Sequence, residues 1–215
     1  IIMTNDLQHR RDVIIEAALK HMAFDGWSNS ALIQGAIDAG MPENMVLRVF
    51  PNGMNEAIEH FADWSDRRMV AALEPQRLDV MKVRDRIHTC IKTRIEMNAP
   101  HKEAIRRLLS YLALPMNAPL AARLAWRTCS VMWYSAGDRS ADWNYYTKRG
   151  LLVSVYSTTL LYWMSDEGDE DGGFPDTWAF LDRRISDVLK TFGVPYQLKS
   201  MLSRLPNPFS LRARL

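Results

Sequence analysis

The chain has 215 residues, a formal net charge of +2 and 47% hydrophobic residues, enough for a sizeable core and too apolar for disorder. That charge is too small to argue for nucleic acid by itself, and two cysteines, Cys90 and Cys129, supply neither a disulfide framework nor a paired metal site, which predicts an intracellular setting. No stretch reaches the roughly 20 apolar residues of a membrane span; the nearest, Gly150 to Met164, is interrupted by Ser154, Ser157, Thr158 and Thr159.

Helical periodicity runs through nearly the whole chain, and no segment alternates with period two between hairpin turns. The first predicted helix covers Asp6 to Phe24, with Val13, Ile14, Ala17, Ala18 and His21 on one stripe and Gly26 at its end. Ser28 caps a second, to about Ala39, and Pro42 suits the first turn of a third ending near Phe50. After the Pro51-Asn52-Gly53 turn a fourth runs to about Leu73. A fifth, Lys82 to Met97, spaces Val83, Ile87, Ile91 and Ile95 four apart. Pro100, Pro115 and Pro119 bound the next helix and open another, Leu120 to about Tyr134.

A long helix then starts at Ser140 or Asp142. Its stripe is Leu151, Leu152, Val155, Tyr156, Thr159, Leu160, Trp163 and Met164, which puts it in the middle of a bundle. Asp166 to Asp171 reads as a solvated acidic loop, and Pro175 to Lys190 as a last clear helix. Beyond Asp187 there is no acidic residue. Lys190, Lys199, Arg204, Arg212 and Arg214 alternate there with Leu198, Met201, Leu202, Leu205, Phe209 and Leu211.

Catalytic chemistry finds little support. No two of His9, His21, His60, His88 and His101 have metal-ligand spacing on a helix, and there is no Glu-x-x-His, phosphate loop or Gly-x-Ser-x-Gly. His21 reads as a core histidine and Cys129 as a small apolar residue. Asp138 and Asp142 could pair as acid and base, but read better as caps of a turn and of the long helix. The expectation is no enzyme, no catalytic residue, no metal and no cofactor.

Two resemblances carry the functional reading. Ile14-Ile15-Glu16-Ala17-Ala18-Leu19, Gly26-Trp27, Ala39-Gly40 and Phe50-Pro51 resemble the helix-turn-helix head of TetR regulators. The third helix there would meet DNA. Here Asp38, Glu43 and Arg48 leave a net charge of −1 from Ser28 to Asn52, so the head is expected to pack rather than to neutralise phosphates.

The second resemblance rests on Leu114-Pro115-Met116-Asn117, Met132-Trp133, Ala136-Gly137-Asp138, Asp142, Asn144, Tyr146-Thr147, Arg149, Tyr156, Thr158-Thr159 and Asp176-Thr177-Trp178. These are similar to the ubiquinone-biosynthesis accessory proteins, TetR-fold lipid binders that work with the demethoxyubiquinone hydroxylase. The fold implied is all-α and TetR-like: a head over 1–52, a lipid-binding body over 53–192 and a basic amphipathic tail over 193–215. A homodimer is implied as well.

The resemblance further implies a bound isoprenoid or phospholipid-like ligand beside Thr128, Met132, Val155, Tyr156, Thr159, Leu160 and Trp163. The helices at 83–95 and 120–134 would face it. Periodicity alone describes a packed core there. The resemblance places a hydroxylase-like partner on Leu114, Pro115, Met116, Asp142, Tyr145, Tyr146 and Arg149; a brace at the bundle end is the other reading of the tyrosines. Animal members carry Trp at Tyr145 and Phe at Trp143, so the surface stays aromatic but its partner specificity is open. Leu198, Lys199, Met201, Leu202 and Arg204 would touch a membrane, against the reading of a frayed soluble terminus. The setting implied is peripheral to the inner membrane: on its cytoplasmic side in a bacterium, on its matrix side in a mitochondrion. The alternatives are a TetR-type DNA-binding regulator with an apolar effector and a quinone-modifying enzyme.

Overall fold

Ile14, Ile15, Ala18, Leu19 and Met22 bury one face of α1 (Ile2–Asp25), a spacing that returns every turn of a 3.6-residue helix. The computed structural model describes residues 2–138 and 143–193, with side chains described for 6–138 and 146–190. The buried stripe lies one position round from the predicted one. Val13 and Ala17 are only half-buried, and His21 leaves the core to meet Asp38 of the next helix at 2.5 Å. A ring with a partner across the groove has no need of an apolar site.

α2 (Asn29–Asp38) starts where Ser28 Oγ accepts from the Ala31 amide. It crosses α1 so closely that a Cβ at Gly35 would fall 2.5 Å from Ala18 Cβ. α3 is a short Met45–Val49 helix. Pro42 does not enter its first turn as expected. Its carbonyl accepts from the Met45 amide in the turn before the helix, and Phe50 closes the end in the core. The outward side of α3 presents Leu47, 74% exposed, beside Arg48.

α4 (Met54–Leu73), α5 (Val83–Glu96), α6 (Lys102–Leu112), α7 (Ala118–Ser135), α8 (Trp143–Ser165) and α9 (Pro175–Gly193) complete an arrangement with no strand among the described residues. α1 packs on α4 and α6 as well as on α2, and Trp27 Nε1 donates to the Ala104 carbonyl of α6 at 2.8 Å. Pro119 takes a first-turn position of α7, where its missing N–H is not needed.

Asp166 departs from the solvated loop expected of it. Its carboxylate accepts from the Gly168 amide and from the Thr177 amide and hydroxyl, capping α9. Lys102 donates to the Asp166 carbonyl and Arg106 to that of Met164, so two α6 cations meet the negative end of α8. No described helix is long and apolar enough to cross a membrane.

Candidate functional site

α8 is buried on two sides, and a hollow lies on each. The first is a cavity of about 280 Å³ reached between α6, α7 and α8. Ile58, Phe61 and Ala62 of α4 form its back, and Ile105, Leu108, Leu109 and Leu112 of α6 one side. Those α6 positions repeat at i, i+3, i+4 and i+7, the spacing of a single helix face. Tyr156, Leu160 and Trp163 of α8 stand against Leu124 and Thr128 of α7. The mouth is marked by half-buried Leu112, Ala121 and Ala125 and by Leu161, which is 58% exposed.

The inner end is polar. Asp66 of α4 and Arg94 of α5 are both buried, and Arg94 Nε donates to Asp66 Oδ1 at 3.0 Å. Thr128 Oγ1 donates to the same carboxylate at 3.1 and 3.2 Å. Asn98 Nδ2 donates to the Arg94 carbonyl at 2.7 Å, and its Oδ1 accepts from Ser65 at 3.3 Å. Burial pushes the Asp66 carboxyl above the usual carboxylate range, while the Arg94 charge and the Thr128 hydroxyl pull the other way. Burial also raises the Tyr156 phenol. Arg94, Asn98, Thr128 and Tyr156 all line the cavity.

The second hollow, about 350 Å³, lies between α5, α8 and α9. Val83, Ile87, Leu151, Leu152, Val155 and Val188 give it an apolar lining, with Arg84 and Lys148 at its edge.

The seven residues expected to hold a ligand therefore part company. Thr128, Tyr156, Leu160 and Trp163 line the first cavity, and Val155 faces the second hollow. Met132 and Thr159 are fully buried and line neither; Thr159 Oγ1 donates to the Val155 carbonyl of its own helix. Both helices expected opposite α8 line the cavity, α5 through Arg94 and Ile95 and α7 through Ala121, Leu124, Ala125 and Thr128, and α4 and α6 add walls that spacing did not predict.

Of the partner-facing set, Leu114, Pro115 and Met116 are exposed in the α6–α7 connection, Met116 at 81%. Tyr146 is 60% exposed and stacks on Trp126, ring centroids 6.1 Å apart. Arg149 is not at that surface. It is buried, bonded to Ser130 Oγ at 3.2 Å and paired with Asp138 at 3.5 Å. Its charge is used inside, joining α7 to α8. Asp142, the Tyr145 side chain and the tail residues Leu198, Lys199, Met201, Leu202 and Arg204 lie outside the described residues.

Among the described residues no group of three or more His, Cys, Asp or Glu is placed to hold a metal ion. Burial pushes the Cys90 thiol up to about 12 and raises Cys129 as well, which removes the thiolate a nucleophile needs. Periodicity passed over Asp66 and Arg94. The signal was there: Asp66 sits four and eight residues after Ala62 and Ile58, and Arg94 falls between Ile91 and Ile95.

Residues 118–191, which span α7, α8 and most of α9, match the COQ9 domain family. The human mitochondrial ubiquinone biosynthesis protein COQ9 is 33% identical over 201 residues, covering 90% of this chain and 61% of the human protein. The Drosophila melanogaster protein of the same name is 30% identical over 198 residues, covering 90% of the chain and 57% of the relative. The chain thus spans about three-fifths of the length of the curated relatives it matches. A TetR transcriptional regulator from Nitrosomonas europaea superposes with a TM-score of 0.63 at 22% identity, covering 82% of this chain and 95% of that one; this likeness establishes the TetR-like fold. The chain thus carries a COQ9 domain over residues 118–191 and is similar to the COQ9 ubiquinone biosynthesis proteins across nine-tenths of its length.

Proposed function

We propose that this protein is a non-catalytic carrier that holds a prenylated quinone precursor in the cavity between α4 and α8 and delivers it to a membrane-associated hydroxylase. One observation carries the reading: the mouth of the apolar cavity borders an exposed apolar surface. Leu112 and Ala121 at the mouth flank the Leu114–Met116 connection, and Ala125 precedes Trp126, on which Tyr146 stacks. A partner on that surface would cover the opening. A tyrosine ring offers area there at low entropic cost. Each methylene withdrawn from water adds roughly 0.8 kcal/mol, so even a short length of prenyl chain inside the cavity would hold. Relatives named as mitochondrial support a mitochondrial setting for the carrier, which in this reading works on the matrix side of the inner membrane. The TetR-like head serves packing in this reading, since Leu47 and a single Arg48 on the outer side of α3 form no phosphate-binding face.

The test is direct. Purified protein is extracted with organic solvent and the extract analysed by mass spectrometry, beside an Ala125→Trp variant that fills the mouth. Prenylated quinone precursors are expected from the wild type and should be depleted in the folded variant. Equal recovery from both, or none from either, overturns the reading. Tyr146→Ala should keep the lipid and its melting temperature while weakening capture of the hydroxylase about thirtyfold, the effect of losing a hot-spot aromatic.

A further inference from the structure

We infer that the polar end of this cavity is a head-group site that takes a neutral, oxygen-bearing ring, with Arg94 and Tyr156 as its donors, so that the ligand sits ring inward and tail toward the mouth. This rests on the carrier reading and adds the orientation of the ligand and the class of its head.

The first support is unspent hydrogen-bonding capacity. An arginine has five N–H donors. Arg94 uses Nε on Asp66 Oδ1 at 3.0 Å and rests Nη2 against the Ala62 carbonyl at 3.5 Å. No acceptor among the described residues meets Nη1, and Nη1 is not among the sealed, unpaired atoms of the interior. Arg94 is 6% exposed and lines the cavity, so the free corner of its guanidinium has the cavity as its outlet. The Tyr156 hydroxyl likewise has no hydrogen-bond partner among the described residues, and Tyr156 lines the same cavity. Its phenol lies close enough to Arg94 and Asp66 for their charges to act on it. A hydrocarbon would leave these donors unmet, and a buried donor without an acceptor is disfavoured.

Charge selects among heads. Asp66 already neutralises Arg94, so the end of the cavity is close to neutral and still rich in donors. A phosphate placed there would face the Asp66 carboxylate in a poorly solvated site, and like charges at short range are disfavoured. Carbonyl, methoxy or phenolic oxygens accept from Nη1 and from the tyrosine without that repulsion.

Size points the same way. An apolar cavity of roughly 150 Å³ accommodates a benzene ring. A volume of about 280 Å³ takes one substituted ring and the start of a chain. A longer tail must pass out between Leu112, Ala121 and Leu161, and transfer to a partner would begin from that end.

The experiment measures binding of three probes by equilibrium dialysis: a decyl-substituted dimethoxybenzoquinone, decylbenzene and decyl phosphate. The variants are Tyr156→Phe, which removes only a hydroxyl, and Arg94→Lys, which keeps a cation for Asp66. In the wild type the quinone should bind about tenfold more tightly than decylbenzene, the worth of one to two net hydrogen bonds. Decyl phosphate should gain nothing over decylbenzene. Each variant should bring the quinone down toward decylbenzene while leaving decylbenzene unchanged. Tyr156→Phe carries the test if Arg94→Lys folds poorly. Equal binding of quinone and decylbenzene, preference for the phosphate, or a uniform loss of all three probes overturns the head-group site and leaves the carrier reading standing. Failure of every probe to bind the wild type removes both.

Discussion

Two clusters of charge are built on α4, with Asp63 of one and Asp66 of the other only about 4.5 Å of helix rise apart, and they have been solved differently. On the outer side Asp12 of α1 accepts from Arg67 through both oxygens, at 3.0 and 2.6 Å, and pairs with His60 Nε2 at 2.7 Å. Asp63 takes Arg67 Nε at 2.8 Å and also Arg127 of α7, while Arg123 reaches Glu59. Each charge there has a partner, and water reaches most of them. On the inner side Asp66 and Arg94 form one dry pair with a free guanidinium corner. The difference separates a seam from a site. A fully matched network fastens α1, α4 and α7 together; a pair with donors left over, at the end of a cavity, has room for something that is not protein.

Breaking the inner pair should cost most. Asp66→Ala leaves Arg94 buried without a counter-charge, and we expect a loss of about 3–5 kcal/mol in denaturant unfolding. A smaller loss would mean that water already shields the pair. Replacing both partners with apolar residues, Asp66→Leu with Arg94→Met, should recover most of that stability. If the double variant is as unstable as the single one, the pair is a fold determinant rather than a site. On the outer side Asp12→Ala should cost about 1–2 kcal/mol, reduced because the Arg67 side chain is 39% exposed.

Acid gives the gentlest probe. Burial lowers His60, His88 and His101 below the ordinary histidine value of 6.5, although Asp12 opposes it at His60. A histidine lowered in the folded state binds fewer protons there than in the unfolded chain. Its contribution is therefore intact above pH 6.5 and is lost as the pH falls below that value. Asp66 runs the opposite way, since its raised value favours the folded state in acid. Unfolding midpoints should decline from neutrality toward pH 5, and His60→Gln should flatten the decline. A midpoint that rises on acidification would show Asp66 outweighing the histidines.

Much of the fold could be read from spacing, and the reasons for the misses are particular. The α8 stripe stood out because Leu152, Val155, Tyr156, Thr159, Trp163 and Met164 are all buried. Yet a helix between two hollows divides one stripe among several surroundings, and spacing alone cannot tell that Tyr156 faces the cavity while Val155, one step away, faces α9. α4 was easy to find as a helix and hard to see as a cavity wall, because a wall is defined by which helices come opposite. Arg149 looked like a surface anchor since exposed and buried arginines are the same letter; only Asp138 and Ser130 beside it decide the matter. Head-group recognition by Arg94 and Tyr156 was invisible for a related reason: what marks it is a bond not made.

The Asp166 clamp has a practical consequence for handling this protein. Lys102, Arg106, Gly168 and Thr177 fix both sides of the α8–α9 connection, and Asp169 closes the connection on itself, its amide donating to the Gly173 carbonyl at 2.9 Å and its carboxylate accepting from the Gly173 amide at 2.6 Å. Glu170 and Asp171, exposed at the tip, belong to neither closure. That tip is a natural splice point, where a fluorophore-bearing peptide or an affinity handle could be inserted to report on lipid loading without touching the wall that holds it.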